Sequence, residues 1–268
     1  MTEETRAVTL ITGASAGIGA ALAHEFAVHG HEVVLIARRE QALAAVADAI
    51  AAKGAPRPTM LPADVARPDA ARAIAQALAQ RGLEPDVVIN NAGFGLVGSA
   101  DKLDRAEQLA MIDLNVRTLT ALSLMFVDSL KRRGGGVINV ASLSGFFPGP
   151  GMAVYFAGKA YVRSFSEAIA HELARQAVRV TCVCPGPVPT EFQARAGLRD
   201  QSWQLLARSA EQIAREGYDA FMRGQRVVVP GALNKIAGVL PRFMPRALAL
   251  RAVGRFLKRA GPPITWSS

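Results

Sequence analysis

Short runs of apolar, mostly β-branched residues recur along the chain at 8–11, 33–36, 59–61, 87–89, 137–140, 178–183 and 226–229. Between them lie Ala- and Leu-rich stretches, such as 20–28 and 41–52, whose apolar positions repeat every three or four residues. The short runs predict strands buried on both faces and the longer stretches predict amphipathic helices. Strands that alternate with helices predict one parallel sheet covered on both sides, and right-handed crossovers make it doubly wound. In such a sheet ligands bind beyond the carboxyl ends of the strands, and the polar and glycine-rich segments of this chain fall there.

The expected architecture is therefore an α/β, doubly wound, Rossmann-like domain over 1–230. It carries a helical substrate lid at about 190–224, followed by a basic C-terminal extension over 231–268. With 268 residues, half of them hydrophobic, the chain is long enough for one large core. The longest apolar stretch, 119–127, is short and interrupted by Thr120 and Ser123, so it reads as a buried helix. The first residues are acidic and run at once into a strand, which leaves no room for a signal peptide and predicts a cytoplasmic protein. Cys182 and Cys184 form no C-x-x-C motif and have too few ligands around them for zinc, so no metal site is expected. The net charge of +9 is localised: after Asp219 there is no acid, while nine Lys and Arg residues follow. No zinc-finger or RNP-type motif accompanies that charge, and no nucleic-acid partner is expected.

The first strand runs into Thr12-Gly13-Ala14-Ser15-Ala16-Gly17-Ile18-Gly19 and then a helical pattern. Glycines at this spacing let the backbone approach a pyrophosphate, whose charge meets amide groups and the positive end of the helix. The second strand ends at Arg38 and Arg39 with no acid at its tip. In this fold that position meets the adenosine ribose, and arginine pairs with a 2′-phosphate, so NADP(H) is the expected cofactor. Asp64, with Val65 after the third strand, either accepts from the adenine amino group or caps a helix. Asn91, Ala92 and Gly93 follow the fourth strand and are small enough for close backbone approach.

Ser142 follows the fifth strand, and Tyr155 and Lys159 come soon after it, four residues apart. On a helix that spacing puts phenol and ammonium on one face. A free tyrosine titrates near pH 10; a neighbouring cation stabilises its phenolate and makes it usable as an acid or base. A Ser142 hydroxyl can hydrogen-bond a substrate oxygen as charge develops on it. Tyr161 has no lysine four residues on and is the weaker rival.

Taken in order, the T-G-x-x-x-G-x-G run at Thr12, Asn90-Asn91-Ala92-Gly93, Asn115, Ser142, Tyr155-x-x-x-Lys159 and Pro185-Gly186 resemble the classical short-chain dehydrogenase/reductase family. The likeness runs from about Val8 to Phe192, in the broad branch of ketoacyl reductases and hydroxysteroid dehydrogenases. It implies an oxidoreductase that interconverts a ketone and a secondary alcohol by hydride transfer. It further implies that Tyr155 is the general acid/base, that Ser142 orients the carbonyl, and that Lys159 holds the nicotinamide ribose and lowers the Tyr155 pKa. Asn115 would hold a water in a proton relay, and Pro185, Gly186, Val188 and Thr190 would line the nicotinamide pocket. Ala16 departs from members with a basic residue in the glycine loop, which leaves the 2′-phosphate to Arg38 and Arg39. The alternative is a catalytically idle NADP(H)-binding sensor or scaffold, which would have no need of an intact Asn115/Ser142/Tyr155/Lys159 set.

The residues expected around the hydride site are apolar: Phe94, Leu96, Leu143, Phe146, Phe147, Met152, Val188 and Phe192. They point to a small hydrophobic carbonyl or alcohol substrate, whether steroid, fatty-acyl or xenobiotic. A homo-oligomer, dimer or tetramer, is expected. The stretch 245–260 reads as a basic helix that packs on the domain or on a partner subunit. Weak contact with an anionic membrane surface is the second reading of that helix.

Overall fold

All seven apolar runs become strands: β1 (Arg6–Thr12), β2 (Val33–Ala37), β3 (Thr59–Pro62), β4 (Leu83–Asn90), β5 (Gly136–Val140), β6 (Arg179–Val183) and β7 (Val227–Val228). In this computed structural model, which describes residues 5–198 and 206–260, they form one parallel sheet in the order β3-β2-β1-β4-β5-β6-β7. The strand order reverses between β1 and β4, which opens a crevice at their carboxyl ends.

The helices are α1 (Gly17–Val28), α2 (Glu40–Ala51), α3 (Ala70–Ala79), α4 (Arg105–Ile112), α5 (Leu119–Met125), α6 (Val127–Arg133), α7 (Ala153–Leu173), α8 (Glu191–Ala196), α9 (Ala210–Met222), α10 (Ala232–Val239) and α11 (Arg246–Ala260). Alternate residues of each strand point to opposite faces, and each face has its own helix layer. Ile11, Leu35, Ile89 and Ile138 pack on Leu22, Phe26, Leu43 and Ile50 of α1 and α2 and on Ile213, Tyr218 and Phe221 of α9. Val8, Leu10, Ile36, Val88 and Val137 pack on Ile74, Leu78, Leu122, Leu130 and Ile169 of α3, α5, α6 and α7. β2 is buried along its whole length, as a central parallel strand must be.

One polar network runs through the second layer. Asn90 donates to Asn139 and to Ser123, both at 2.9 Å, and Asn139 donates to Ser166 at 2.9 Å. These bonds tie β4 and β5 to the helices behind them, just below the crevice.

The lid is shorter than the sequence suggests. Of the stretch 190–224, α9 is a core helix whose Ile213, Ala214, Tyr218 and Phe221 are buried beneath α1 and the sheet. Its apolar periodicity serves the fold, so the described covering segment is α8 with its flanks; 199–205 lie outside the described residues. The described chain after β7, as far as residue 260, packs on the domain. Gly238 of α10 comes close to Leu143 and Phe146, Gly254 of α11 comes close to Pro150, and Ala249 and Leu257 are buried. Among the described residues no single helix is long and apolar enough to cross a membrane.

Candidate active site

The ends of β1 and β4 are fixed to each other before any ligand is considered. Thr12 Oγ1 donates to the Ile89 carbonyl and accepts from the Asn91 and Ala92 amides, at 3.1 to 3.3 Å. The Asn91 side-chain amide donates to the Thr12 and Gly13 carbonyls at 3.0 and 3.1 Å. In the glycine turn, Gly13 has φ +66°, and a Cβ on Gly19 would stand 2.3 Å from the Gly13 carbonyl oxygen. Only glycine lets this loop fold back on itself.

The crevice is a cavity of about 1290 Å3. It brings together Gly13, Ser15, Ala16, Gly17, Ile18, Arg38, Arg39, Asp64, Val65, Asn91, Ala92, Gly93, Ser142, Tyr155, Lys159, Pro185, Gly186, Val188 and Thr190. Gly19 and Asn115 lie behind its wall. α1 begins at Ala16 with no side-chain cap and no acid in its first turn, so its leading amides are left for an anion at the cavity edge. Gly17 at the start of α1 also meets Thr190, which brings the lid's first residue onto the glycine loop. Asp64 serves its own turn, accepting from the Ala66 amide at 3.1 Å, while it lines the cavity.

At the tip of β2, Arg39 is held by Glu191 of α8 in a two-pronged ion pair of 2.7 and 3.4 Å. Arg38 lines the cavity beside it. Sequence reading treats the two arginines alike; the fold separates them because α8 brings a carboxylate to one.

Tyr155 and Lys159 project from one face of α7, and both are buried. Burial pushes the Tyr155 phenol up to about 12, against the opposing effect of the Ser142 and then the Ser144 hydroxyl. Burial likewise pushes the Lys159 ammonium down to about 8. Lys159 Nζ donates to the Val140 carbonyl at 2.8 Å and stands 5.8 Å from the Tyr155 ring centre. The Lys159 ammonium is turned toward β5, and the Tyr155 shift comes from burial and the two serine hydroxyls. Ser142 opens a short 3-10 turn and accepts from the Ser144 amide at 3.1 Å, which fixes its hydroxyl at the cavity.

Asn115 sits buried in a π-helical turn, Asp113–Thr118. It accepts from the Phe94 amide at 3.1 Å and donates to the Phe94 carbonyl at 2.8 Å. These two bonds fix the loop after β4. Tyr161 is turned to the surface, 3.0 Å from Thr120.

The apolar end of the cavity contains seven of the eight expected side chains. Phe146 is the exception: it lies under the Arg163 guanidinium at 4.3 Å and against α10. Phe192 packs on the Tyr155 ring at 5.4 Å between centres. Three residues on, Arg195 lies over the Phe94 ring at 4.3 Å. Burial, and then the like charge of Arg38, lower its pKa. Val253, Phe256 and Leu257 of α11 complete the wall. None of these last four was legible in the sequence. Arg195 sits among mixed residues without a motif, and a basic helix expected to pack on the domain or a partner does not say which of its residues reach the cavity.

The family profile described as short chain dehydrogenase matches residues 7–201. The chain belongs to the short chain dehydrogenase family. Among curated relatives it is 34% identical to sulfoacetaldehyde reductase 2 of Chromohalobacter salexigens, over 69% of this chain and 74% of that protein. It is 31% identical to the 7beta-hydroxysteroid dehydrogenase of Clostridium sardiniense, over 84% and 86%. Among solved structures, a short-chain dehydrogenase from Sphingobium yanoikuyae in complex with NADPH is 29% identical, with a TM-score of 0.77 over 90% of this chain and 98% of that one. A 7beta-hydroxysteroid dehydrogenase structure gives a TM-score of 0.82 at 25% identity, over 94% and 98%. As a short chain dehydrogenase, the protein is an oxidoreductase that acts on CH–OH or C=O groups and has a nicotinamide-nucleotide fold.

Proposed function

We propose that the protein is an NADP(H)-dependent reductase of hydrophobic ketones, with Tyr155 as the general acid. The observation that carries this reading is the buried Tyr155 phenol on the cavity wall, beside the fixed Ser142 hydroxyl and one helical turn from Lys159. The residues present fit a dinucleotide: a glycine turn that no Cβ could enter, uncapped amides at the start of α1, and Arg38 at the ribose end. The relative solved with NADPH supports the choice of cofactor.

The nicotinamide, when bound, supplies or accepts the hydride. The chain does the rest. Ser142 donates a hydrogen bond to the carbonyl oxygen and stabilises its growing charge. Tyr155 gives its proton to that oxygen; a phenol held near 12 stays protonated through neutral pH, as an acid in the reductive direction must. Lys159, whose Nζ donates to the Val140 carbonyl at 2.8 Å, would donate to the ribose hydroxyls of the bound cofactor. Phe94, Met152 and Phe192 exclude water around the reacting carbon.

A second reading of the substrate rests on Arg195. Among the described residues no hydrogen bond or ion pair engages its guanidinium, and it looks into the cavity from the lid. A carbonyl compound with a carboxylate or sulfonate would meet it there. Exposed Leu109, Ile112, Leu124 and Met125 on α4 and α5 support pairing with a second copy.

The test is NADPH oxidation over a set of hydrophobic ketones, each paired with an acid-bearing analogue. Reduction of the neutral ketones is expected, with NADH much less effective. Failure on every carbonyl compound would overturn the reading. An advantage for the acids that Arg195→Met removes would favour the second form.

A further inference from the structure

The helical segment after β7 has two faces with opposite environments. Toward the domain, α10 sets Gly238 against Leu143 and Phe146, next to Ser142, and Ala237 reaches the cavity. Away from it, Leu233, Ile236, Val239, Leu240 and Phe243 recur at the spacing that keeps side chains on one side of a helix. They stand in water: Ile236 is 65% exposed and Phe243 82%. α11 repeats the division, with Ala249 and Leu257 buried and Leu248 and Leu250 exposed. No described element covers the outer stripe, and contiguous large apolar side chains in water mark a contact surface.

Charge decides what the surface fits. Lys235, Arg246, Arg251 and Arg255 are exposed along these two helices, and the sequence after Asp219 holds no acid with which to pair them. A second copy is a poor occupant, because a two-fold contact is self-complementary and would set this acid-free segment against itself. An anionic lipid surface satisfies both features: the boundary between headgroups and acyl chains takes the apolar stripe, and the headgroups take the cations. We propose that α10, the turn after it and α11 dock on anionic membrane. The same helices wall the cavity, which brings an amphiphilic carbonyl substrate beside the site. That consequence rests on the proposed reductase activity; the docking does not.

The test is co-sedimentation of the full chain with vesicles of phosphatidylglycerol and phosphatidylcholine in equal parts, beside phosphatidylcholine alone, at low and moderate salt. Sedimentation is expected with the anionic vesicles only, and weaker as salt screens the attraction. Ile236→Asn with Phe243→Ser should lower the partition by roughly tenfold or more, because two large apolar side chains no longer leave water. The melting temperature should hold. The proposal is overturned if the intact chain stays in the supernatant, if salt and the double variant leave sedimentation unchanged, or if light scattering shows that the double variant dissociates an oligomer. Should the double variant unfold, an environment-sensitive label at Phe243→Cys decides. A blue shift there with anionic vesicles, and none with the label at Val28→Cys, at the end of α1 far from the cavity, supports docking; no shift at 243 overturns it.

Discussion

Replacing Arg38 with Asp should remove most of the preference for NADPH over NADH, while Glu191→Gln should increase it. Arg38 lines the cavity, and Arg39 beside it already spends its two-pronged contact on Glu191 at 2.7 and 3.4 Å. A 2′-phosphate therefore meets one arginine that no carboxylate among the described residues holds and one that must be drawn away from its partner. A charge-assisted hydrogen bond contributes about 1.5 to 3 kcal/mol, so losing Arg38 should weaken NADPH roughly 10- to 150-fold and leave NADH nearly unchanged. Both Arg39 and Glu191 are more than half exposed, and a pair so placed is worth only about 0.2 to 1 kcal/mol. Releasing Arg39 by Glu191→Gln should then tighten NADPH by only about 1.4- to 5-fold. Titration of nicotinamide fluorescence gives all the dissociation constants. Equal affinity for the two cofactors in the unmodified protein would refute the assignment, and weaker NADPH binding in Glu191→Gln would refute the competition.

Three further outcomes follow from other parts of the molecule. Alcohol oxidation needs the phenolate, so with Tyr155 held near 12 its rate should keep rising with pH past 10, while ketone reduction stays level; an oxidation rate that levels off near neutrality would contradict this. Glu84 is held at about 2 by Arg132, with Thr5 and Arg133 also donating to it. A depressed carboxylate stabilises the fold above its unfolded pKa and loses that contribution as pH falls from about 4.5 toward 2. Glu84→Gln should lower the melting temperature at pH 7 by roughly 2 to 6 °C, for about 1 to 2 kcal/mol, and should have no effect below pH 2. Deleting the chain after Pro245 removes buried Ala249 and Leu257 and one wall of the cavity, so the truncated protein should melt earlier; an unchanged melting curve would place α11 off the domain.

The sheet was legible because each strand is a short apolar run between helices of different period, and all seven runs pair as expected. The cavity lining was legible where a motif follows a strand, as in the glycine turn, Asn91-Ala92-Gly93, Ser142 and Tyr155-x-x-x-Lys159. It was not legible where one amphipathic pattern has two outcomes. The periodicity of α9 is that of a core helix and a lid helix alike, and only its packing on α1 separates them. Phe146 shares a short loop with Phe147, and a single 3-10 turn sends one to the cavity and the other under Arg163. Asn115 shows a further limit: a sequence gives an amide's position, but its partner, the Phe94 backbone, is set by the π turn. Pairing of Arg39 with Glu191 links positions 152 apart, beyond any local signal.

Tyr155→Phe tests the central claim most directly, because it deletes one oxygen from a buried ring and leaves the cavity wall standing. The measurement is steady-state reduction of the best neutral ketone by NADPH, with the NADPH dissociation constant of the same variant taken beside it. The account predicts a loss in kcat of about 100- to 10,000-fold with cofactor affinity unchanged, since a proton donor alone has gone. Retention of most of the activity, on a ketone that the parent protein reduces, would place the acid elsewhere and contradict it.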